Sequence, residues 1–132
     1  MSQELFVGVD AGGTRTRMVL GNGLGNLLDR VEGGPGNFQS LGAEGLGSLI
    51  EDLLGHVQLA SAPVVLCAGV AGAGRIPEQL ALQQELERRA LAGRIPVVSD
   101  ARAAWQGAHG GSAGLDRVSC VSVGTLASRG PL

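Results

Sequence analysis

The sequence predicts an α/β domain, and three observations predict it. Three strand-like segments separated by glycine turns open the chain, helical and strand-like stretches alternate after them, and the later strands read as continuous apolar runs, as strands covered on both faces do. At 132 residues the chain is the size of one domain. That length buries roughly two thirds of the unfolded surface, enough for a real core. With 44% hydrophobic and 17% charged residues, the composition is that of a globular protein.

Each element follows from its own pattern. Leu5 to Asp10 is a short apolar run, Thr14 to Leu20 alternates threonine with arginine before turning aliphatic, and Asn26 to Glu32 follows the turn at Gly21 to Gly25. Together they predict a three-strand meander. From Leu41 to Val57, Leu46, Leu49, Ile50, Leu53, Leu54 and Val57 recur at helical spacing and build one apolar stripe, which Gly45 and Gly47 weaken. Pro63 opens the buried strand VVLCAGV. In the next helix Pro77 suits the first turn, Leu82, Leu86 and Ala90 line one face, and Gly93 is placed for a C-cap. IPVVSD is a further buried strand whose final Asp100 can cap a helix through Ala103 to Ala108. AHGGSAG is a turn and Val118 to Val123 a last strand; no internal repeat or linker interrupts the series.

Composition removes several classes of function. A net charge of -2 with dispersed arginines leaves no basic stripe for a phosphate backbone, so no nucleic-acid partner is expected. The opening MSQELFVGVDAGG has neither a basic n-region nor a membrane-length apolar run, so a cytoplasmic protein without a membrane partner is expected. Cys67 and Cys120 sit in apolar, strand-like runs, where buried free thiols are expected. No His/Cys spacing of the zinc type occurs, His56 and His109 read as surface residues, and Trp105 reads as packing. The 23 glycines point either to many tight turns and close backbone approaches to a ligand or to a GC-rich coding bias.

The strongest local signal for chemistry is Val9-Asp10-Ala11-Gly12-Gly13-Thr14-Arg15-Thr16, a carboxylate at a strand end followed by a glycine turn and hydroxyls. Gly12 and Gly13 let backbone N–H groups approach a phosphate, the Thr14 hydroxyl can donate to a phosphoryl oxygen, and Asp10 can hold Mg²⁺ directly or through water. The turn joins two strands, and the chain has no GxxxxGK[ST]. A plain hairpin with Gly-Gly at its tip is the alternative.

GVDAGGTRT resembles the first phosphate motif of the superfamily that includes hexokinases, actin and the heat-shock chaperone ATPases. GGPGNFQSLG, VVLCAGVAGAG, VVSDARAAWQGA and VSVGT follow in order, and the set resembles the motifs of N-acetylglucosamine kinases and their BadF/BadG/BcrA/BcrD ATPase relatives over nearly the whole chain. The resemblance implies a ribonuclease H-like lobe, a mixed sheet with a three-strand antiparallel meander and flanking helices. It implies ATP and Mg²⁺ as cofactors and phosphorylation of an amino sugar, N-acetylglucosamine or glucosamine, at the 6-hydroxyl. By position Asn37 contacts sugar hydroxyls, Gly72 joins it in binding substrate, and Asp100 binds the sugar and is the catalytic base. Thr125 serves nucleotide and sugar, while Asp10, Gly12, Gly13 and Thr14 hold the nucleotide phosphates, Asp10 through Mg²⁺ and water. A turn-forming asparagine after Pro35-Gly36 and a plain N-cap are the alternatives for Asn37 and Asp100.

The chain departs from its relatives at the second phosphate motif, where they have GTGS and here Gly124 and Thr125 precede Leu126-Ala127-Ser128. A leucine there obstructs close phosphate approach, which weakens the role of Thr125. Such kinases also continue into a second lobe, whereas this sequence ends at Leu132. Residues 1–132 are therefore expected to be an N-terminal lobe, inactive alone, whether as a fragment, a frame-shifted product or a half that needs a partner; a homodimer is left open. Two further readings stand beside the kinase. One is an activator ATPase coupled to an iron–sulfur cluster, against which the core placement of both cysteines argues; the other is a non-catalytic sugar-binding remnant.

Overall fold

In the computed structural model, which describes residues 4–24 and 26–98, a five-stranded mixed sheet carries two helices. Strands β1 (Leu5–Ala11), β2 (Thr16–Asn22) and β3 (Leu27–Gly33) form the antiparallel meander, and β4 (Val65–Val70) and β5 (Val97–Val98) extend it in the order β3-β2-β1-β4-β5. β4 runs parallel to β1, and β5 parallel to β4. This is the α/β class and the mixed, meander-led sheet that the sequence predicts.

Two-residue periodicity explains the layering. Leu5, Val7, Val9 and Ala11 of β1, Met18 and Leu20 of β2 and Leu66, Ala68 and Val70 of β4 belong to one buried cluster. Against them pack Leu46, Ile50, Leu53 and Leu54 of α1 (Phe38–Leu54) and Leu82 and Leu86 of α2 (Ile76–Arg88). Truncating one of these buried leucines to alanine costs about 2–5 kcal/mol. The intervening positions, among them Gly8, Asp10, Arg17 and Cys67, lie on the opposite face of the sheet.

Several boundaries move for local reasons. α1 begins and ends three residues earlier than the apolar spacing alone suggests. Asn37 caps its start, and Gly42, at φ 69° and ψ -179°, kinks the first turn in a conformation that suits glycine. Val57 stays buried beyond the helix end. Gly47 does more than weaken α1: a Cβ there would stand 2.7 Å from Arg89 Nε and 2.9 Å from Glu85 Cγ, so its absence lets α2 side chains cross. α2 stops at Arg88, and Ala90, not a glycine, takes the left-handed position at φ 54°. Gly93 instead donates its N–H to the Pro63 carbonyl in the following loop.

The α1–α2 crossing is fastened by charge. Arg89 pairs with Glu51 at 2.6 Å and with Glu85 at 2.8 Å, and Glu85 also accepts from Arg88. The Arg88 hydrogen bond, working against desolvation by burial and helped by Arg89, holds the Glu85 carboxyl below its ordinary value. Cys67, expected as a free thiol, is disulfide-bonded. The expected helix through Ala103 to Ala108, the strand Val118 to Val123, Trp105, His109 and Cys120 lie outside the described residues. Among the described residues, no helix is long and apolar enough to cross a membrane.

Candidate functional site

β1 and β4 end at the same edge of the sheet, and three loops meet there. The first is the β1–β2 hairpin. Ala11 pairs with Thr16, and Gly12 N–H donates to the Arg15 carbonyl at 2.9 Å, which leaves Gly13 and Thr14 at an exposed tip. The tip amides of Gly13 and Thr14 have no partner among the described residues, and a Cβ on Gly13 would meet nothing within 4 Å. The Gly12 amide is thus spent on the hairpin itself. The donors left for a phosphate are Gly13 N–H, Thr14 N–H and the Thr14 hydroxyl.

Asp10 stands one residue before this turn, half-buried on the face of the sheet away from α1 and α2. Its cross-strand neighbours are Arg17 of β2 and Gly69 of β4, and its carboxylate has no ion pair or hydrogen bond among the described residues. Gly69 in turn pairs with Val98, so the parallel strands reach the same edge level with one another. Asp100 follows β5 two residues later and lies outside the described residues, as do Gly124 and Thr125.

The second loop, between β3 and α1, is stitched to the hairpin. The fully buried Thr16 hydroxyl donates to the Gly34 carbonyl at 2.9 Å, and Gly36 N–H donates to the Gly12 carbonyl at 2.8 Å. Gly36 packs so tightly on Thr16 and Ala11 that a Cβ would stand 2.9 Å from the Ala11 Cβ. Asn37 then caps α1, its Oδ1 accepting Gln39 N–H at 2.8 Å. The turn alternative weighed for Asn37 did not include a helix cap, yet capping α1 is what its oxygen does, while its Nδ2 keeps no partner among the described residues.

The third loop follows β4. Ala71 N–H donates to the Ala11 carbonyl at 2.8 Å, and Phe38 N–H donates to the Ala71 carbonyl at 2.9 Å. Gly72 sits at φ 83°, and a Cβ there would come within 2.6 Å of Asn37 Oδ1. Asn37 and Gly72 are accordingly in contact. Asp10, Gly12, Gly13, Thr14, Asn37 and Gly72 gather at one end of the sheet, joined by backbone bonds through Ala11, Gly12 and Ala71. Sequence reasoning missed Thr16, Gly36, Gln39 and Glu78, which hold this edge together; only the Asn37 cap had a local signal.

These groups fit a nucleotide phosphate with Mg²⁺. An uncommitted carboxylate beside uncommitted tip amides supplies one hard oxygen ligand and several N–H donors, and Mg²⁺ keeps most of its remaining shell as water and phosphate oxygens. No group of three or more His, Cys, Asp or Glu that could hold a metal by itself occurs among the described residues. An open groove of about 360 Å³ lies elsewhere, lined by Ser48, Glu51, Asp52, Gly55, His56 and Arg89 towards the far end of α1. Its charged groups already serve one another: Arg89 binds Glu51 and Ser48, and the exposed His56 ring is hydrogen-bonded with the Asp52 carbonyl.

No protein-family profile matches the sequence, and no curated protein matches it. Solved structures do. A protein of Chromobacterium violaceum, provisionally assigned as an N-acetylglucosamine kinase, is 29% identical over 85% of this chain and 40% of its own, with a TM-score of 0.52. A ROK family glucokinase from Streptomyces griseus, solved with glucose and AMPPNP, is 22% identical over 83% of this chain and 38% of its own, at 0.55. The inorganic polyphosphate/ATP-glucomannokinase of an Arthrobacter species is 17% identical over 85% of this chain and 51% of its own, at 0.54. The chain thus spans about half or less of these proteins. What it shares with them is the mixed sheet and flanking helices of a sugar-kinase N-terminal lobe.

Proposed function

We propose that this chain is the phosphate- and sugar-binding lobe of an ATP-dependent kinase acting on an amino sugar, N-acetylglucosamine or glucosamine, at its 6-hydroxyl. The observation that carries the reading is the set of backbone bonds linking Gly36 to Gly12, Ala71 to Ala11 and Phe38 to Ala71, which brings the unpartnered Gly13 and Thr14 amides and the Asn37 amide to one end of the sheet. Sugar kinases among the solved structures support the ancestry.

In this reading the exposed tip of the hairpin receives the nucleotide phosphates on the Gly13 and Thr14 amides and the Thr14 hydroxyl. Asp10 would hold Mg²⁺ through water, and the ion would neutralise charge on the phosphate oxygens. Asn37 Nδ2 donates to a sugar hydroxyl while its oxygen stays fixed by the α1 cap, and Gly72, by having no side chain, lets Asn37 approach the loop after β4. Asp100 accepts the 6-hydroxyl proton as that oxygen bonds to the γ-phosphorus; the bond from γ-phosphorus to the bridging oxygen breaks, and ADP leaves. Phosphoryl transfer needs chiefly such positioning, since its transition state is loose. Thr125 touches nucleotide and sugar.

Isothermal titration with N-acetylglucosamine and with an Mg²⁺-bound ATP analogue tests the reading. Binding of both supports it; binding of the sugar alone indicates a sugar-sensing protein, and binding of neither overturns it. We further propose that the 132-residue chain alone turns over negligibly, and steady ADP release in a coupled assay would refute that.

A further inference from the structure

Gln39 occupies an unusual junction. Its backbone N–H donates to Asn37 Oδ1 at 2.8 Å, and its side-chain Nε2 donates both to the Gly72 carbonyl at 2.8 Å and to Glu78 Oε2 at 2.6 Å. Both amide hydrogens are therefore used. Glu78 is fixed from its other side, because its Oε1 accepts the Arg75 N–H at the start of α2. One glutamine thus ties together the beginnings of α1 and α2 and the loop after β4.

We propose that Gln39, braced by Glu78, is a positioning residue for the sugar. The Gln39 backbone N–H, bound to Asn37 Oδ1, orients the Asn37 amide so that the NH₂ is left as the unpartnered donor. Gln39 Nε2, bound to the Gly72 carbonyl, occupies one of that oxygen's two acceptor positions and sets the height of the loop at which Gly72 touches Asn37. The edge so arranged favours a ligand that brings acceptor oxygens. Glu78 supplies the charge that makes the bond to Gln39 strong, since a hydrogen bond to an ionised group is about twice as strong as a neutral one. This inference rests on the proposed sugar-binding role of Asn37 and Gly72.

The test uses the full chain with Gln39→Met, which keeps the length of the side chain but neither donor, and Glu78→Gln, which keeps an acceptor. In the ligand-free protein, Gln39→Met is expected to speed amide hydrogen exchange at Phe38 and Ala73, on either side of the Ala71–Gly72 step, while Glu78→Gln changes it little. In titration, Gln39→Met is expected to weaken N-acetylglucosamine about tenfold, the loss of one charge-braced hydrogen bond, with affinity for the Mg²⁺-bound ATP analogue within twofold. Glu78→Gln should retain sugar affinity within about threefold. Unchanged exchange in Gln39→Met overturns the proposal, and so does an equal loss of sugar and nucleotide affinity, which marks a merely structural role. If the unsubstituted chain binds no sugar, the functional reading fails by itself, and the exchange measurement still decides whether Gln39 holds the loop.

Discussion

Gly72 is the residue on which the Asn37 side of the edge turns. At φ 83° an alanine would carry the left-handed penalty of roughly 1–2 kcal/mol, and its Cβ would also press on Asn37 Oδ1 at 2.6 Å. Gly72→Ala is therefore expected to lower stability by about 1–3 kcal/mol in urea denaturation and to displace the Asn37 amide. An unchanged midpoint would show that the loop relaxes freely. Asn37 was legible as a turn residue from Pro35-Gly36 or as a ligand through the motif it resembles, but its role as the α1 cap was not read. Gln39 was not legible: its partners Gly72 and Glu78 lie 33 and 39 residues away, and nothing local in GGPGNFQSLG announces them. Thr16 likewise reads as one more hydroxyl of a phosphate motif, yet it is fully buried and bound to the Gly34 carbonyl, 18 residues on.

Among the elements, the end of α2 shows where local pattern and tertiary demand part. Leu82 and Leu86 are buried as their spacing requires, but Leu91 must also reach the core, so the chain turns at Ala90 before any glycine is available. Relief of a left-handed alanine, about 1–2 kcal/mol, outweighs the added unfolded-state entropy of glycine, about 0.4–1 kcal/mol. Ala90→Gly should thus stabilise the fold by up to about 1 kcal/mol, read from the urea midpoint; a loss of stability would mean that the turn carries no strain. The α1–α2 clamp gives a pH signature. Because the Glu85 carboxyl titrates below its usual 4.5 in the fold, its contribution is complete above that value and is lost as pH falls through the lowered one. Glu85→Gln should accordingly cost stability at pH 7 and progressively less as pH falls below 4.5, as thermal unfolding across that range would show. A gap that widens in acid contradicts this assignment. The existence of β1 to β4 was legible, since alternating or continuous apolar runs specify strands, but the pairing of β4 with β1 was not; nor were the α1 boundaries, because the Asn37 cap and the Gly42 kink decide them.

At the scale of the whole molecule, one topological fact organises the rest: a parallel β1–β4–β5 trio beside an antiparallel meander brings three loops to a single edge of the sheet. Sequence motifs far apart in the chain become neighbours there because each follows the carboxyl end of a strand or precedes a helix. The most direct measurement of the central claim is amide NMR of the full chain, titrated first with Mg²⁺-bound ADP and then with N-acetylglucosamine. The account predicts that the nucleotide shifts the Gly13 and Thr14 resonances and that the sugar shifts those of Asn37 and Gly72. Shifts confined to the Ser48–His56 groove, or absent from the hairpin tip at saturating nucleotide, would contradict it.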